Sequence, residues 1–157
     1  MWLLCRFVEL TPLMVIDVDV DPIVDLGAVA TGVRRYVPFR GGTFAGRDGL
    51  QGTIAAGGVD WQLARADGAL EIDAHYVLVT DASEMIEVQS RGLRVAAPEV
   101  AARIAAGEPV DPSEYYFRTH IRLTTAASRL QWMNELLAVS TGSRQRDRVR
   151  IDVHEVL

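Results

Sequence analysis

Tyr116, Arg118, His120 and Arg122 occupy alternate positions of one short run. In an extended strand their side chains share a face, while Tyr115, Phe117, Thr119, Ile121 and Leu123 take the other. Such a row could hold and protonate a small polar molecule, with Arg118 as a fixed cationic fork and His120 as a titratable acid or base. It is equally the pattern of a solvated face on an antiparallel strand. The choice turns on whether the sheet closes around that face.

A second candidate follows Gly57 and Gly58, where a flexible turn delivers Asp60 and Trp61 to the beginning of a strand. A carboxyl beside an apolar ring has its pKa raised and can shuttle protons, which makes Asp60 the leading acid-base residue. The plainer alternative is that Asp60 caps the turn and Trp61 fills the core. His75 and Tyr76 sit side by side on another alternating run and offer a titratable group and an apolar wall.

His75, His120 and His154 raise the question of a three-histidine metal centre. They have no close ligand spacing, and ordinary hydrogen bonding is the expected use of histidines on separate strands, so no metal is expected. Trp132 and Asn134 are two residues apart in a helical pattern and point to different helix faces. At most one of them reaches a cavity, and Trp132 in the core is the alternative.

Composition narrows the chemistry. All sixteen basic residues are Arg, which excludes a Schiff-base lysine and the phosphate-loop lysine. The glycine-rich stretch from Gly41 to Gly52 lacks the ending of a phosphate loop and the dinucleotide fingerprint, so turns and bulges explain it and no cofactor is expected. No serine lies in a nucleophile elbow, which disfavours an acyl-enzyme hydrolase. The net charge of -5 argues against nucleic-acid and anionic-membrane partners and leaves a small neutral or acidic ligand compatible.

Cys5 is the only cysteine, so no intrachain disulfide or Cys-rich zinc site can form, and a small buried strand residue is the expectation. The apolar run Trp2 to Cys5 is broken by Arg6 and Glu9 and lacks a cleavage site; it does not read as a secretory signal. No segment approaches the length of a membrane span, and cytoplasmic residence is the default. With 157 residues and 49% hydrophobic content, one compact domain is expected, and a homo-oligomer stays open.

The elements that must position these residues are mostly strands. Met14, Ile16, Val18 and Val20 alternate with aspartates up to Pro22. Val33 to Val37 reads as a short strand before Pro38. Leu70 to Leu78 alternates with Glu71, Asp73 and His75, and Ile86 and Val88 resume after a turn at Asp81 to Ser83. Val149, Ile151 and Val153 form a C-terminal strand. Pro98 to Ile104, with Gly107 beyond, predicts a short helix. Ser128 with Gln131 resembles a capping box ahead of the apolar stripe Leu130, Met133, Leu136 and Leu137, which predicts a second.

Several segments together resemble a microbial family known only as domain of unknown function 3237. They are LTPLM at Leu10 to Met14, GGTFAG at Gly41 to Gly46, GGVDW at Gly57 to Trp61, Tyr76 to Gly92, YYFRT at Tyr115 to Thr119, WMN at Trp132 to Asn134, and Gly142 to Arg144. The resemblance implies a closed antiparallel β-barrel with a central cavity, and no assigned reaction. Where the family usually carries Arg-Tyr, this chain has His75-Tyr76. If that Arg meets a ligand carboxylate, this member has a titratable donor in its place.

The fold read from these patterns is a closed antiparallel β-barrel of about eight to ten strands with one or two short helices. The function read from them is binding of a small organic molecule in the barrel by Trp61, His75, Tyr76, Arg118, Trp132 and Asn134. The alternatives are a cofactor-free acid-base enzyme using Asp60 and His120, and an interaction protein with a packed interior.

Overall fold

The structure, a computed structural model, describes residues 7–157; the expectation of a buried Cys5 lies outside them. Ten strands form one sheet: β1 Leu10–Val20, β2 Val24–Val29, β3 Gly32–Gly46, β4 Gln51–Ile54, β5 Val59–Arg65, β6 Leu70–Thr80, β7 Met85–Val95, β8 Tyr116–Thr124, β9 Ala138–Arg144 and β10 Arg148–Val156. Following the pairings, β1 leads through β10, β9, β8, β7, β6, β5 and β3 back to β1, every pair antiparallel. This is a closed eight-stranded barrel, with β2 and β4 as two further strands. Closure leaves the eight wall strands with a partner on each side, so no long free edge needs protection.

β3 is longer than the sequence suggested, because Pro38 does not end it. The strand pairs β5 through Pro38, then bends at Gly41 and Gly42, where φ is +154° and +135°, and continues against β1 and β4. Two consecutive glycines tolerate a backbone that side chains rarely adopt, and the bend lets one strand serve both halves of the barrel.

Pro98–Ala105 forms helix α1 as its sequence predicts, with Val100 and Ile104 buried. The second predicted helix is instead a 3-10 segment, Ser128–Glu135, and Ser128 makes no capping hydrogen bond. Its register still buries Leu130 and Met133, which pack with Leu78, Ile86 and Leu123 in the apolar core.

Alternation decides which way every strand faces. In β8 the buried residues are Phe117, Thr119, Ile121 and Leu123, and the exposed ones are Tyr116, Arg118, His120 and Arg122. The apolar row wins the interior because burying each large side chain gains about 1.5–3 kcal/mol, whereas burying an unpaired guanidinium carries a desolvation penalty. Neighbouring polar rows are outside too and meet one another there. Asp73 faces Arg91 at 3.0 Å, Asp19 faces Arg148 at 3.0 Å, and His75 meets Glu87 at 3.0 Å.

Candidate functional site

The barrel interior is filled by side chains except near one end. An enclosed cavity of about 40 Å³ there is walled by Val18, Val37, Phe39, Ile72, Phe117 and Ile151, with Asp60, Gln62, Tyr76, Ser90, Thr119, Arg94 and Arg144 as its polar lining. About 10–15 Å³ of such space holds one water, so this volume admits a few waters or the polar head of a ligand and excludes a whole metabolite. Beyond it lies a vestibule of about 760 Å³ between the strand ends and α1, lined by Val20, Ile23, Leu70, Ala96, Ile104 and Arg35 among others. Arg94 and Arg144 line both spaces and therefore stand at the boundary between them.

Asp60 and Gln62 take successive inward positions of β5 and are both buried. The Asp60 carboxylate accepts from Gln62 Nε2 at 2.6 Å and from the Asp73 backbone N–H at 3.2 Å. Arg35 Nε in turn donates to Gln62 Oε1 at 2.9 Å. Burial is the largest influence on Asp60 and pushes its pKa up to about 6, against the pull of those hydrogen bonds and of the Arg94 charge. A carboxyl so poised can take or give a proton near neutral pH.

Tyr76 reaches the cavity from β6, with its ring edge-on to Phe39 at 5.2 Å between centroids. Gly58 makes room for both, since a Cβ there would come within 2.6 Å of the Tyr76 side chain and 3.0 Å of Phe39. Among the described residues, Tyr76 Oη is the one fully buried side-chain oxygen or nitrogen with no hydrogen-bond partner. Burial, and secondarily the Asp60 charge, hold this hydroxyl protonated well above the usual tyrosine range. An orphaned donor in an otherwise satisfied interior is costly and calls for an explanation. Across the lumen the other hydroxyls are satisfied: Ser90 Oγ donates to Thr119 Oγ1 at 2.8 Å, and Thr119 shares a 2.6 Å hydrogen bond with Ser140.

Three arginines complete the site. Arg35 continues the inward row of Val37 and Phe39, Arg94 that of Ser90 and Gly92, and Arg144 that of Ser140 and Gly142. Desolvation, joined by repulsion from Arg35 and Arg144, pulls Arg94 down to about 10. Arg35 and Arg144 are likewise lowered, chiefly by burial. None of the three was singled out from the sequence. The available signal was parity, because each lies an even number of residues from a buried position on its own strand.

Of the residues nominated from the sequence, the structure brings Asp60 and Tyr76 together and leaves the other six outside the lumen. Trp61 is on the outer wall against Tyr36 at 5.0 Å and under Arg34. His75 is exposed on the outer wall beside Glu87. Arg118 donates to the Phe117 carbonyl at 2.9 Å and lies over Tyr116, and His120 is exposed; both line a shallow outer groove with His154. Trp132 stacks beneath Arg47 at 5.0 Å. Asn134 accepts from Thr125 N and donates to Thr125 O, and so holds the end of β8. The three histidines do not converge, and among the described residues no group of His, Cys, Asp and Glu is placed to hold a metal ion.

The family of known sequences whose pattern matches, over residues 8–156, is described as protein of unknown function (DUF3237). The chain belongs to that family. A UPF0311 protein of Rhodopseudomonas palustris is 37% identical over 142 residues, covering 90% of this chain and 92% of its own. The crystal structure of the R. palustris protein superposes with a TM-score of 0.93 at 34% identity, covering 97% of this chain and 99% of the other. A beta-barrel like protein of Acinetobacter baumannii gives 0.84 at 33% identity, with coverage of 99% and 100%. An enzyme from Penicillium herquei shares the fold at a TM-score of 0.71 and 17% identity, over 96% of this chain and 95% of its own. Among the described residues, no helix is long and apolar enough to cross a membrane.

Proposed function

We propose that this DUF3237 barrel binds a small organic molecule at the arginine-lined end of its lumen, with the ligand's polar head in the inner cavity and its body in the vestibule. The single observation that carries this reading is Tyr76. Its hydroxyl is buried without a partner while every other hydroxyl around it is bonded, and a ligand oxygen accepting from it would remove the penalty. The sizes of the two spaces support the division of the ligand into head and body.

A second reading, cofactor-free acid-base catalysis, is favoured by the pKa of Asp60 near 6 inside the same cavity. Asp60 would accept a proton from the bound molecule, and Tyr76 would donate a hydrogen bond to the oxygen on which charge develops. Turnover by wild type that is lost in Asp60→Asn, with binding kept, distinguishes this reading from binding alone.

Native mass spectrometry of protein isolated from its own host tests the first reading. A retained small-molecule mass on wild type that is absent or much reduced on Tyr76→Phe is the expected result. Retention of the same mass to the same extent by Tyr76→Phe would remove Tyr76 from the site, and no retained mass on wild type counts against occupancy of the lumen.

A further inference from the structure

The arginines of this chain are used in an inverted way. Eight arginines whose side chains are a third or more exposed hold ion pairs, Arg91 with Asp73 and Arg148 with Asp19 among them. Arg94 and Arg144, at the boundary between cavity and vestibule, and Arg35 on the vestibule side, hold none among the described residues. Arg35 has the neutral Gln62 carbonyl at 2.9 Å, Arg144 reaches only the Arg146 carbonyl at 3.3 Å, and Arg94 has no side-chain hydrogen bond. Proteins ordinarily do the reverse, pairing the charges they bury and leaving exposed ones free.

The one acidic group facing this cluster in the cavity is Asp60, and it is held by Gln62 and by a backbone N–H. Arg94 and Arg144 against that one carboxylate leave the cavity with an excess of one positive charge, and the vestibule adds Arg35 and Arg146 against Asp147 and Asp21, of which Asp21 already pairs with Arg40. Val20, Ile23, Leu70, Ala96 and Ile104 give the vestibule beyond it an apolar wall, with Asp21, Arg146 and Asp147 also on its lining. Unpaired arginines at a head-sized cavity, with an apolar wall in the space beyond, are the shape of a receptor for an amphipathic organic anion.

Resting on the ligand-binding reading above and naming its ligand class, we infer that the lumen selects organic anions, a carboxylate or an enolate on an apolar body. The anionic oxygens sit among Arg35, Arg94 and Arg144, and one of them accepts from Tyr76 Oη. Planar guanidinium forks suit a two-oxygen anion, whereas a neutral amide of the same shape would place an NH₂ group against donors. Selectivity for charge over shape is the consequence.

Titration of the 15N-labelled protein with phenylacetate and with phenylacetamide, followed through the backbone amides of Asp60, Tyr76, Arg94 and Arg144, tests this. Phenylacetate should shift these amides and bind at least about tenfold more tightly than phenylacetamide. Arg94→Met and, separately, Arg144→Met should each weaken phenylacetate about tenfold or more and weaken phenylacetamide far less, with the spectrum confirming the fold. If phenylacetamide binds the lumen as tightly as phenylacetate, the anion inference is overturned and ligand binding in the lumen stands. If neither compound shifts lumen amides, both are overturned.

Discussion

Gln62 donates through Nε2 to the Asp60 carboxylate at 2.6 Å, and the two side chains occupy neighbouring inward positions of β5. Because Gln62 also accepts from Arg35, the amide links the carboxylate to a cation without letting the two charges meet. A direct pair would neutralise both groups. The intervening amide keeps Asp60 protonatable and Arg35 available to a ligand.

The raised pKa of Asp60 carries a stability signature. Its folded-state value of about 6 exceeds the ordinary 3.8, so the folded protein binds the proton more tightly than the unfolded chain. Stability contributed at this position is therefore greatest below about pH 4 and is lost as pH rises through 6. Arg35, Arg94 and Arg144 face the carboxyl and stay cationic across that range, Arg94 with its pKa near 10 included. Urea denaturation across this window should show wild type losing on the order of 3 kcal/mol relative to Asp60→Asn. A pH-independent difference would show that the carboxyl is not shifted.

Arg94 is a cost to the fold that binding explains. Replacing it by Met keeps the stem's packing and removes a half-buried, unpaired cation repelled by two others. Arg94→Met should be more stable than wild type by about 1–2 kcal/mol, and a chain of this size gains about 2–4 °C in Tm per kcal/mol. A melting curve checks it. Stabilisation together with loss of phenylacetate binding is the trade expected of a functional charge.

Gly142 holds the shape of the cavity through Phe117. A Cβ at Gly142 would lie 2.6 Å from the Phe117 ring, which lines the lumen. Gly142→Ala must push the ring or the strand aside, and should cost about 1–3 kcal/mol in chemical denaturation and weaken binding as the ring enters the cavity.

The outer wall should be silent. Arg118→Ala and His120→Ala alter exposed groups on the far side of β8, so each should leave lumen binding unchanged and move stability by no more than about 0.5 kcal/mol. Denaturation and the same ligand titration read both quantities.

How much of this was legible in the sequence follows from what alternation encodes. Alternation marks two faces of a strand and gave the barrel strands of β1, β6, β8 and β10. It does not by itself state which face is inside, and in β8 the decision came from Phe117, Ile121 and Leu123, whose burial outweighs anything the arginines gain within. The outward charges of β6, β7, β1 and β10 then found each other across strands, as Asp73 with Arg91 and Asp17 with Arg150. Asp60 was legible because the Gly57-Gly58 turn delivers a carboxylate and a large ring to the beginning of a strand. Arg94 and Arg144 have no such turn beside them, and each stands near a strand end where an arginine ordinarily meets water. The 3-10 segment at Ser128–Glu135 went unread because its buried pair Leu130 and Met133, three residues apart, suits a 3-10 turn as well as an α-helix.

The most direct measurement is a crystal structure of the protein soaked with phenylacetate. The account predicts carboxylate density in the inner cavity within hydrogen-bond distance of Tyr76 Oη and the Arg94 guanidinium, and the phenyl ring in the vestibule against Ile104. An unliganded lumen under saturating phenylacetate, or phenylacetate found only in the outer groove beside Arg118 and His120, would contradict it.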